Sequence, residues 1–220
     1  MSGALIQSLV WRGYGIAGAQ IGSAYAHYRP AGAGAPIVPA NLMGTLAAAF
    51  AADAKLSFGA PSAYGKPVRF GAFDPTTALP GDYLVGAAGT LFIASIELDV
   101  APMCVLCNDT FSFYRPAETV AVGEDSTYGG QQRGSDIPLA LSWPVSSLLT
   151  TKAPTGGPGL PGDIRPPWHA LTLPAIPSLP GGLPIRDYDV AYDGSGQKHI
   201  LSAVELTPLG YRMMAMLASA

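Results

Sequence analysis

Two stretches of the chain alternate apolar and polar positions around a turn that contains glycine. The first covers residues 81–98, and the second covers residues 186–206 with its turn at Asp193-Gly194. A period of two is typical of half-buried strands, and Asp-Gly supplies the positive-φ geometry of a tight hairpin turn. A further turn at 207–210 and an apolar run at 211–217 extend the second stretch. The pattern therefore predicts a hairpin near the middle of the chain and a three-stranded meander at its end.

The two stretches also resemble each other in sequence. Each has Asp-Tyr, a valine three residues after that aspartate, a glycine turn, an apolar strand and a final Glu-Leu. On this pattern Asp82 corresponds to Asp187, and Glu97 corresponds to Glu205. Two interpretations stay open: an internal repeat of two β-units built alike, or two independent hairpins that share turn chemistry. Two distant copies do not make a solenoid or a propeller, which need a fixed short period.

Residues 2–27 are predicted to form a helix, because apolar side chains recur at helical spacing from Leu5 onward. Glycines inside this stretch weaken the helix by about 1 kcal/mol each relative to alanine, so it needs a packing partner. Small residues at Gly15, Gly18 and Gly22 would allow close approach of another element. The helix is expected to pack either on its own core or on another subunit.

Shorter apolar runs predict further strands, over residues 68–73, 103–107, 110–114 and 168–173. Residues 42–53 fit either a short helix or a strand, and a short helix is expected within 137–149, after Trp143-Pro144. Residues 116–136 are polar and rich in glycine. A loop of that length in a compact domain is usually functional or mobile.

These elements predict a mainly β chain with two small β-units, each a hairpin or meander similar to a small barrel. An N-terminal helix and long Pro/Gly-rich arms complete the expected architecture. The segments are an N-terminal helix at 1–30, a first β-unit with a long loop at 31–149, a Pro/Gly-rich arm at 150–185 and a C-terminal β-meander at 186–220.

Composition narrows the function classes. Only 12% of the 220 residues are charged, while the chain has 27 glycines and 21 prolines. So little surface charge favours burial against other copies of the chain, because soluble monomers normally carry more. A net charge of −3 argues against a sequence-specific grip on nucleic acid, which needs clustered Lys and Arg. No apolar run is long enough to span a membrane, and no signal peptide is evident. Two cysteines make no disulfide scaffold, which favours a reducing cytoplasm.

Cys104 and Cys107 have the Cys-x-x-Cys spacing of zinc and redox motifs. Their flanks are strand-like, however, and residues three apart on a strand point to opposite faces. We therefore expect two small buried apolar side chains in preference to a metal or redox site.

Three aspartates, Asp187, Asp189 and Asp193, have the first spacings of a calcium loop. The fifth ligand position holds Ala191 and the twelfth holds Lys198, where an EF-hand needs oxygen ligands. A hairpin turn explains the aspartates better, although a cation bound between subunits stays conceivable.

The pairs Asp82 with Glu97 and Asp187 with Glu205 are candidate carboxylate pairs for a hydrolase. The alternative is that they cap turns or face solvent. No Gly-x-Ser-x-Gly elbow and no phosphate-binding loop occurs in the sequence. We accordingly predict no catalytic residues, no metal, no cofactor and no enzymatic activity.

Several short motifs are distributed along the whole chain. They are Tyr28-Arg29-Pro30, Tyr64-Gly65-Lys66-Pro67, Gly81-Asp82-Tyr83-Leu84-Val85, Gly162-Asp163-Ile164-Arg165-Pro166-Pro167-Trp168 and Glu205-Leu206-Thr207-Pro208-Leu209-Gly210-Tyr211-Arg212. Together they resemble a family of tailed-bacteriophage virion structural proteins of about this length. The terminal meander also resembles small β-barrels of phage head-to-tail connector and tail proteins. Fold likeness of this kind does not by itself define function.

The resemblance implies a virion protein that is assembled in the host bacterial cytoplasm and acts by assembly. It implies an oligomeric ring at the neck or tail, as a connector, adaptor or baseplate component, with portal, tail or baseplate proteins as partners. Neither a membrane nor a specific nucleic-acid sequence is expected as a partner. Alternatives are a decoration or receptor-facing protein that uses residues 116–136, and, less favoured, a small hydrolase.

Within such a ring, the helix would contact a neighbouring ring, and the arms at 30–41 and 150–167 would cross to adjacent subunits. The predicted interface residues are Leu5, Leu9, Trp11, Ile16, Ile21, Tyr28, Leu160 and Trp168.

Overall fold

The fold is known from a computed structural model, which describes residues 3–52, 65–98, 100–116, 136–150 and 168–218. These residues form one helix, α1 (Gly3–Ile21), and two closed antiparallel barrels of six strands each. Barrel 1 consists of β1 (Ser23–Tyr28), β2 (Leu42–Ala51), β3 (Val68–Ala72), β4 (Tyr83–Gly86), β5 (Gly89–Ser95) and β6 (Met103–Cys107). Barrel 2 consists of β7 (Asp109–Arg115), β8 (Ile137–Thr150), β9 (Trp168–Leu173), β10 (Val190–Tyr192), β11 (Lys198–Thr207) and β12 (Gly210–Leu217). Short 3-10 turns lie at Pro39–Asn41 and Pro180–Gly182.

The two barrels have the same topology. Going around barrel 1 the strands follow the order β1, β2, β3, β6, β5, β4, and barrel 2 repeats it as β7, β8, β9, β12, β11, β10. The mainly β class with two barrel-like units is therefore confirmed. The units are larger than predicted, because each one is a complete six-stranded barrel.

Irregularities of the sheets recur at matching positions too. The β1–β2 register shifts between His27 and Tyr28, and the β7–β8 register shifts between Phe113 and Tyr114. Likewise, a bulge follows Ile93 in β5 and Leu201 in β11. Bulges bend a strand and are specific features of a fold. Their repetition shows that the internal repeat is real and covers whole barrels.

The helix is shorter than predicted. It ends at Ile21, and residues 23–28 form β1, whose partners are β2 and β4. The prediction of a helix through residue 27 is wrong there because β1 gains hydrogen bonds from two neighbouring strands, which local periodicity does not reveal. The strands thus group differently from the predicted segments: residues 23–28 belong to barrel 1, and residues 109–173 supply three strands of barrel 2.

Within the ambiguous stretch 42–53, residues 42–51 form β2. The prediction of a short helix after Trp143-Pro144 is wrong, because residues 145–150 pair with β7 and β9 as part of the long strand β8. Pro138 and Pro144 are accommodated in β8 near a bulge at Ser142, whose φ is 53°. The strands predicted at 68–73, 103–107, 110–114 and 168–173 are confirmed within a few residues, as is the terminal meander.

Each barrel is filled by alternate side chains of its strands. The interior of barrel 1 contains Tyr25, Ala48, Phe73, Ala78, Leu84, Leu91, Ile93 and Cys104. A larger cluster fills barrel 2 and continues through its wall to the outer face of barrel 1, where Tyr83, Phe92 and Val105 are buried. Tyr83 donates a hydrogen bond to the Pro144 carbonyl (2.8 Å) and packs edge-on against Trp143. This seam joins the two barrels.

The segment that follows β1 also belongs to the seam. The Ala33 carbonyl accepts hydrogen bonds from the Leu141 amide (3.0 Å) and from Trp143 Nε1 (3.1 Å). Ile37 packs on the core of barrel 2. The part of the predicted arm 30–41 that was expected to cross to a neighbouring subunit thus lies on barrel 2 of its own chain. The arm at 150–167 falls almost wholly outside the described residues, as does most of the loop 116–136.

Candidate functional site

A buried aspartate is held at the same place in each barrel. In barrel 1, Arg29 donates from Nε to Asp82 Oδ1 (2.9 Å) and from Nη2 to Oδ2 (2.7 Å), and the Leu79 amide donates to Oδ2 (2.8 Å). In addition, His27 Nε2 lies 2.7 Å from Asp82 Oδ2. Arg29 also donates to the Thr77 carbonyl (2.7 Å). The arginine thus ties the end of β1 to the turn before β4.

Barrel 2 repeats the contacts of the arginine and of the backbone amide, but not the contact of His27, whose place in β7 is taken by Phe113. Arg115 donates from Nε to Asp189 Oδ1 and from Nη2 to Oδ2, both at 3.0 Å, and also to the Pro184 carbonyl (2.7 Å). The Arg186 amide donates to Asp189 Oδ2 (2.8 Å). In both barrels the arginine lies between a tyrosine and a proline, in the sequence Tyr-Arg-Pro. The equivalent of Asp82 is therefore Asp189, and the predicted correspondence with Asp187 is wrong.

The error has a simple origin. Asp187-Tyr188 repeats the letters of Asp82-Tyr83, but the residue that directly precedes the strand is Asp82 in one barrel and Asp189 in the other. Asp187 is exposed. The correspondence of Glu97 with Glu205 agrees with the equivalence of Ile93 and Leu201, because each glutamate follows by four residues.

The hydrogen bonds and the electrostatics of Asp82 give it a structural role. Burial would raise the pKa of Asp82, but hydrogen bonds from His27, Arg29 and the Leu79 amide outweigh burial and lower the pKa below its usual range. A general acid needs the opposite shift. Both oxygens of Asp82 are already engaged, so the pair Asp82 with Glu97 is not brought together as a carboxylate dyad. Glu97 and Glu205 are exposed, and Glu205 lies 3.6 Å from the exposed Arg212.

The cysteines diverge as predicted. Cys104 packs inside barrel 1, while Cys107 packs toward the core shared with barrel 2. Burial raises the pKa of both thiols, that of Cys107 to about 12. Neither thiol is therefore prepared to act as a nucleophile or metal ligand, since both roles need the thiolate.

The Asp193 turn is a hairpin, as predicted. Asp193 Oδ1 accepts hydrogen bonds from the Ser195 amide, the Ser195 hydroxyl and the Gln197 amide, at 2.7 to 2.9 Å. The residue with positive φ in this turn is Gly196, at 82°, and not Gly194. The carboxylate stabilises its own turn, which accounts for its place in the sequence without a cation.

One polar cluster in barrel 2 was not predicted from the sequence. Ser147 Oγ lies 3.1 Å from His169 Nδ1, and the rings of His169 and His199 meet edge-on with centroids 5.4 Å apart. His199 Nε2 lies 3.1 Å from Asp193 Oδ2. The residues come from β8, β9, β11 and the β10–β11 turn, so only closure of the barrel brings them together. No spacing in the sequence signals the cluster.

A hydroxyl beside an imidazole is the beginning of a nucleophile–base pair. Here the pKa of His169 is lowered by burial and by His199, against the effect of Asp109 and Asp193. None of the hydrogen bonds in the described structure orients His169 through a carboxylate, as a triad requires. Across the described parts of the chain, no three His, Cys, Asp or Glu side chains are grouped to hold a metal ion. We assign this cluster no reaction.

The helix carries exposed apolar side chains at helical spacing. Its side with Gly15 and Gly18, together with Gly22 just after it, faces barrel 1: a Cβ on Gly18 would lie 2.7 Å from the Ala47 carbonyl oxygen, and one on Gly22 would lie 2.5 Å from that of Ala48. The predicted close approach of another element at these glycines is thus made by barrel 1 itself. The opposite side of the helix carries Leu5, Leu9 and Ile16, which are 49%, 55% and 54% exposed. We call these three residues the helix stripe.

The other predicted interface residues fall in different places. Ile21 is exposed, Trp11 is half-buried with its Nε1 unpaired, and Tyr28 packs on the core cluster at the seam. Trp168 is half-buried at the start of β9, and Leu160 lies outside the described residues. Their role at an interface remains a prediction.

The comparisons with known proteins give no family assignment. No protein-family model matches the chain, and no curated protein or solved structure is significantly similar to it. As for membranes, α1, the helix that the described residues contain, is not long and apolar enough to cross one.

Proposed function

We propose that this chain is a structural protein of a phage particle that forms an oligomeric ring at the neck or tail. It is a connector, adaptor or baseplate component, it acts by assembly, and it carries no catalytic site. The phage assignment rests on the motifs that resemble virion structural proteins. The protein joins its ring in the host bacterial cytoplasm and contacts portal, tail or baseplate proteins in the virion.

The observation that carries the assembly role is the helix stripe. A lone amphipathic helix on a barrel would normally turn its large aliphatic side chains inward. Here the small residues face barrel 1, and Leu5, Leu9 and Ile16 face outward. Within α1 the only charged residue is Arg12, so little in the helix favours contact with water. An exposed, ordered apolar surface of this kind marks an interaction site.

Quantitative mass spectrometry of particles from the phage or prophage that encodes the chain tests this function. We expect six or twelve copies per particle, the number of subunits in a ring or a pair of rings. Hundreds of copies would show a decoration or tube protein instead. Particles that lack the protein would refute the proposed virion role.

A further inference from the structure

The duplicated barrels define the same two surfaces twice. Every strand of barrel 1 has a counterpart in barrel 2, so the paired positions of one barrel can be matched with those of the other. The register makes Ala47 equivalent to Pro144 and Asp74 equivalent to Pro174. We call this region the receiving surface of each barrel. It runs from the second strand to the end of the third.

Both receiving surfaces are covered within the chain. On barrel 1 the cover is α1: Gly18 packs against Ala47, and Gly15 packs against Asp74. On barrel 2 the cover is barrel 1: the Tyr83 hydroxyl donates a hydrogen bond to the Pro144 carbonyl, and a Cβ on Gly81 would lie 4.0 Å from Pro174 Cβ. The helix therefore occupies on barrel 1 the place that barrel 1 occupies on barrel 2.

The surface that barrel 1 uses for this contact is its donating surface, formed by Gly81, Tyr83, Phe92, Met103 and Val105. Barrel 2 has equivalents of all five residues. They are Tyr188, Val190, Ile200, Met214 and Met216, as the pairings of β10, β11 and β12 show.

The two donating surfaces differ in how they are covered. In barrel 1, Phe92 and Val105 are 0% and 4% exposed, because barrel 2 lies over them. In barrel 2, Val190 is buried, but Ile200, Met214 and Met216 are only partly buried, and Tyr188 is 80% exposed. Tyr188 also has a φ of 70°, where Gly81 has 97°. A tyrosine in this left-handed region is uncommon and is often associated with function.

The sheet beside this surface also has a groove. This groove of about 300 Å³ lies across β9, β11 and β12; its walls include Ala203, Val204 and Met214, and also Glu205 and Arg212. The apolar part of its walls offers contact to an aliphatic side chain. Among the described residues, the donating surface of barrel 2 and the helix stripe on barrel 1 are thus both open.

We infer that these two surfaces bind each other between copies of the chain: the donating surface of barrel 2 packs on the helix stripe of the next copy. Within one chain, barrel 1 packs on barrel 2. Between chains, barrel 2 of one copy would pack in the same way on the helix that covers barrel 1 of the next copy. This is a head-to-tail contact between two different surfaces, which forms a ring when the rotation closes. This inference rests on the proposed assembly role and specifies its interface.

Mixing two complementary variants of the full chain tests the contact. Leu5→Gln with Leu9→Gln replaces two residues of the helix stripe by a polar residue of good helix propensity. Tyr188→Asn removes the aromatic side chain from the donating surface of barrel 2 and keeps a residue that tolerates positive φ. Leu149→Gln, at an exposed position near the end of β8, is the matched control. Circular dichroism checks that each variant is folded.

Light scattering over a concentration series gives the readout. We expect the wild-type chain and the control to associate beyond the dimer, and each of the two test variants to remain monomeric. An equimolar mixture of the test variants should form a dimer and nothing larger, because one intact contact remains per pair. A wild-type chain that stays monomeric throughout would overturn the inference, as would association of the Tyr188→Asn variant equal to wild type, which indicates stripe-to-stripe pairing.

The two proposals fail separately. Ring copy numbers in particles without complementation in the mixture would disprove this contact and leave the virion role intact. If the mixed variants form a dimer in solution but the protein is absent from particles, the contact stands and the virion role is disproved.

Discussion

The buried Arg115–Asp189 pair allows a quantitative test of how the barrels are stabilised. Asp189→Asn keeps the size of the side chain and removes its charge. The side chains of Arg115 and Asp189 are 10% and 2% exposed, so the guanidinium cannot regain water when its partner is neutral. Breaking a buried ion pair on one side costs about 3–5 kcal/mol, chiefly because it leaves an uncompensated charge.

The equivalent pair in barrel 1 supplies a matched comparison. Arg29 is 31% exposed, against 10% for Arg115, and can be rehydrated after Asp82→Asn. The expected loss there is that of charge-assisted hydrogen bonds, about 1.5–3 kcal/mol. Asp189→Asn should thus destabilise the protein more than Asp82→Asn, although the two aspartates occupy the same position in identical topologies.

Urea denaturation followed by circular dichroism and tryptophan fluorescence measures both losses. Trp143 is fully buried at the seam, so its emission reports on the joined barrels. Glu205→Gln, which removes an exposed pair with Arg212, should cost less than about 1 kcal/mol and serves as the control. The double change Arg115→Met with Asp189→Leu should recover most of the loss. If Asp189→Asn lowers the free energy of unfolding by less than Glu205→Gln does, the buried pair does not stabilise barrel 2 as argued.

Further changes probe the helix, the acid response and the thiols. Gly18→Ala places a Cβ 2.5 Å from the Ala72 carbonyl oxygen and should lower the stability measured by thermal unfolding by about 1–3 kcal/mol. Gly13→Ala is the control: its Cβ would have nothing within 4 Å, so this variant should be neutral or stabilising. The pKa of Asp82 is lowered in the folded state, so the stability that its carboxylate contributes is present above the unfolded pKa of about 3.9 and is lost as the pH falls through the folded pKa. The free energy of unfolding should therefore fall less steeply with decreasing pH for Asp82→Asn than for the wild-type chain. Cys104 and Cys107 should react with a thiol reagent at pH 8 only after unfolding, since burial raises both pKa values; rapid reaction of the native protein would contradict this.

The amino-acid sequence determined the features that depend on neighbours along the chain. Alternation defined most strands, and the Asp193 turn made its own hydrogen bonds, so the terminal meander was predictable. The divergence of Cys104 and Cys107 followed from strand geometry alone. The glycines of the helix indicated a close contact, because a missing Cβ matters only where another backbone approaches.

Tertiary structure decided what depends on partners distant in sequence. Residues 23–28 became a strand because β2 and β4 lie on either side of them, and the repeat was extended from two hairpins to two barrels by strand closure. The equivalence of Asp82 with Asp189 was settled by Arg29 and Arg115, which lie far from them in sequence. Burial of a charge requires a partner that the fold supplies. For the same reason, the choice of the glycine side of α1 as its buried face followed from the backbone of barrel 1 and not from the periodicity of the helix itself.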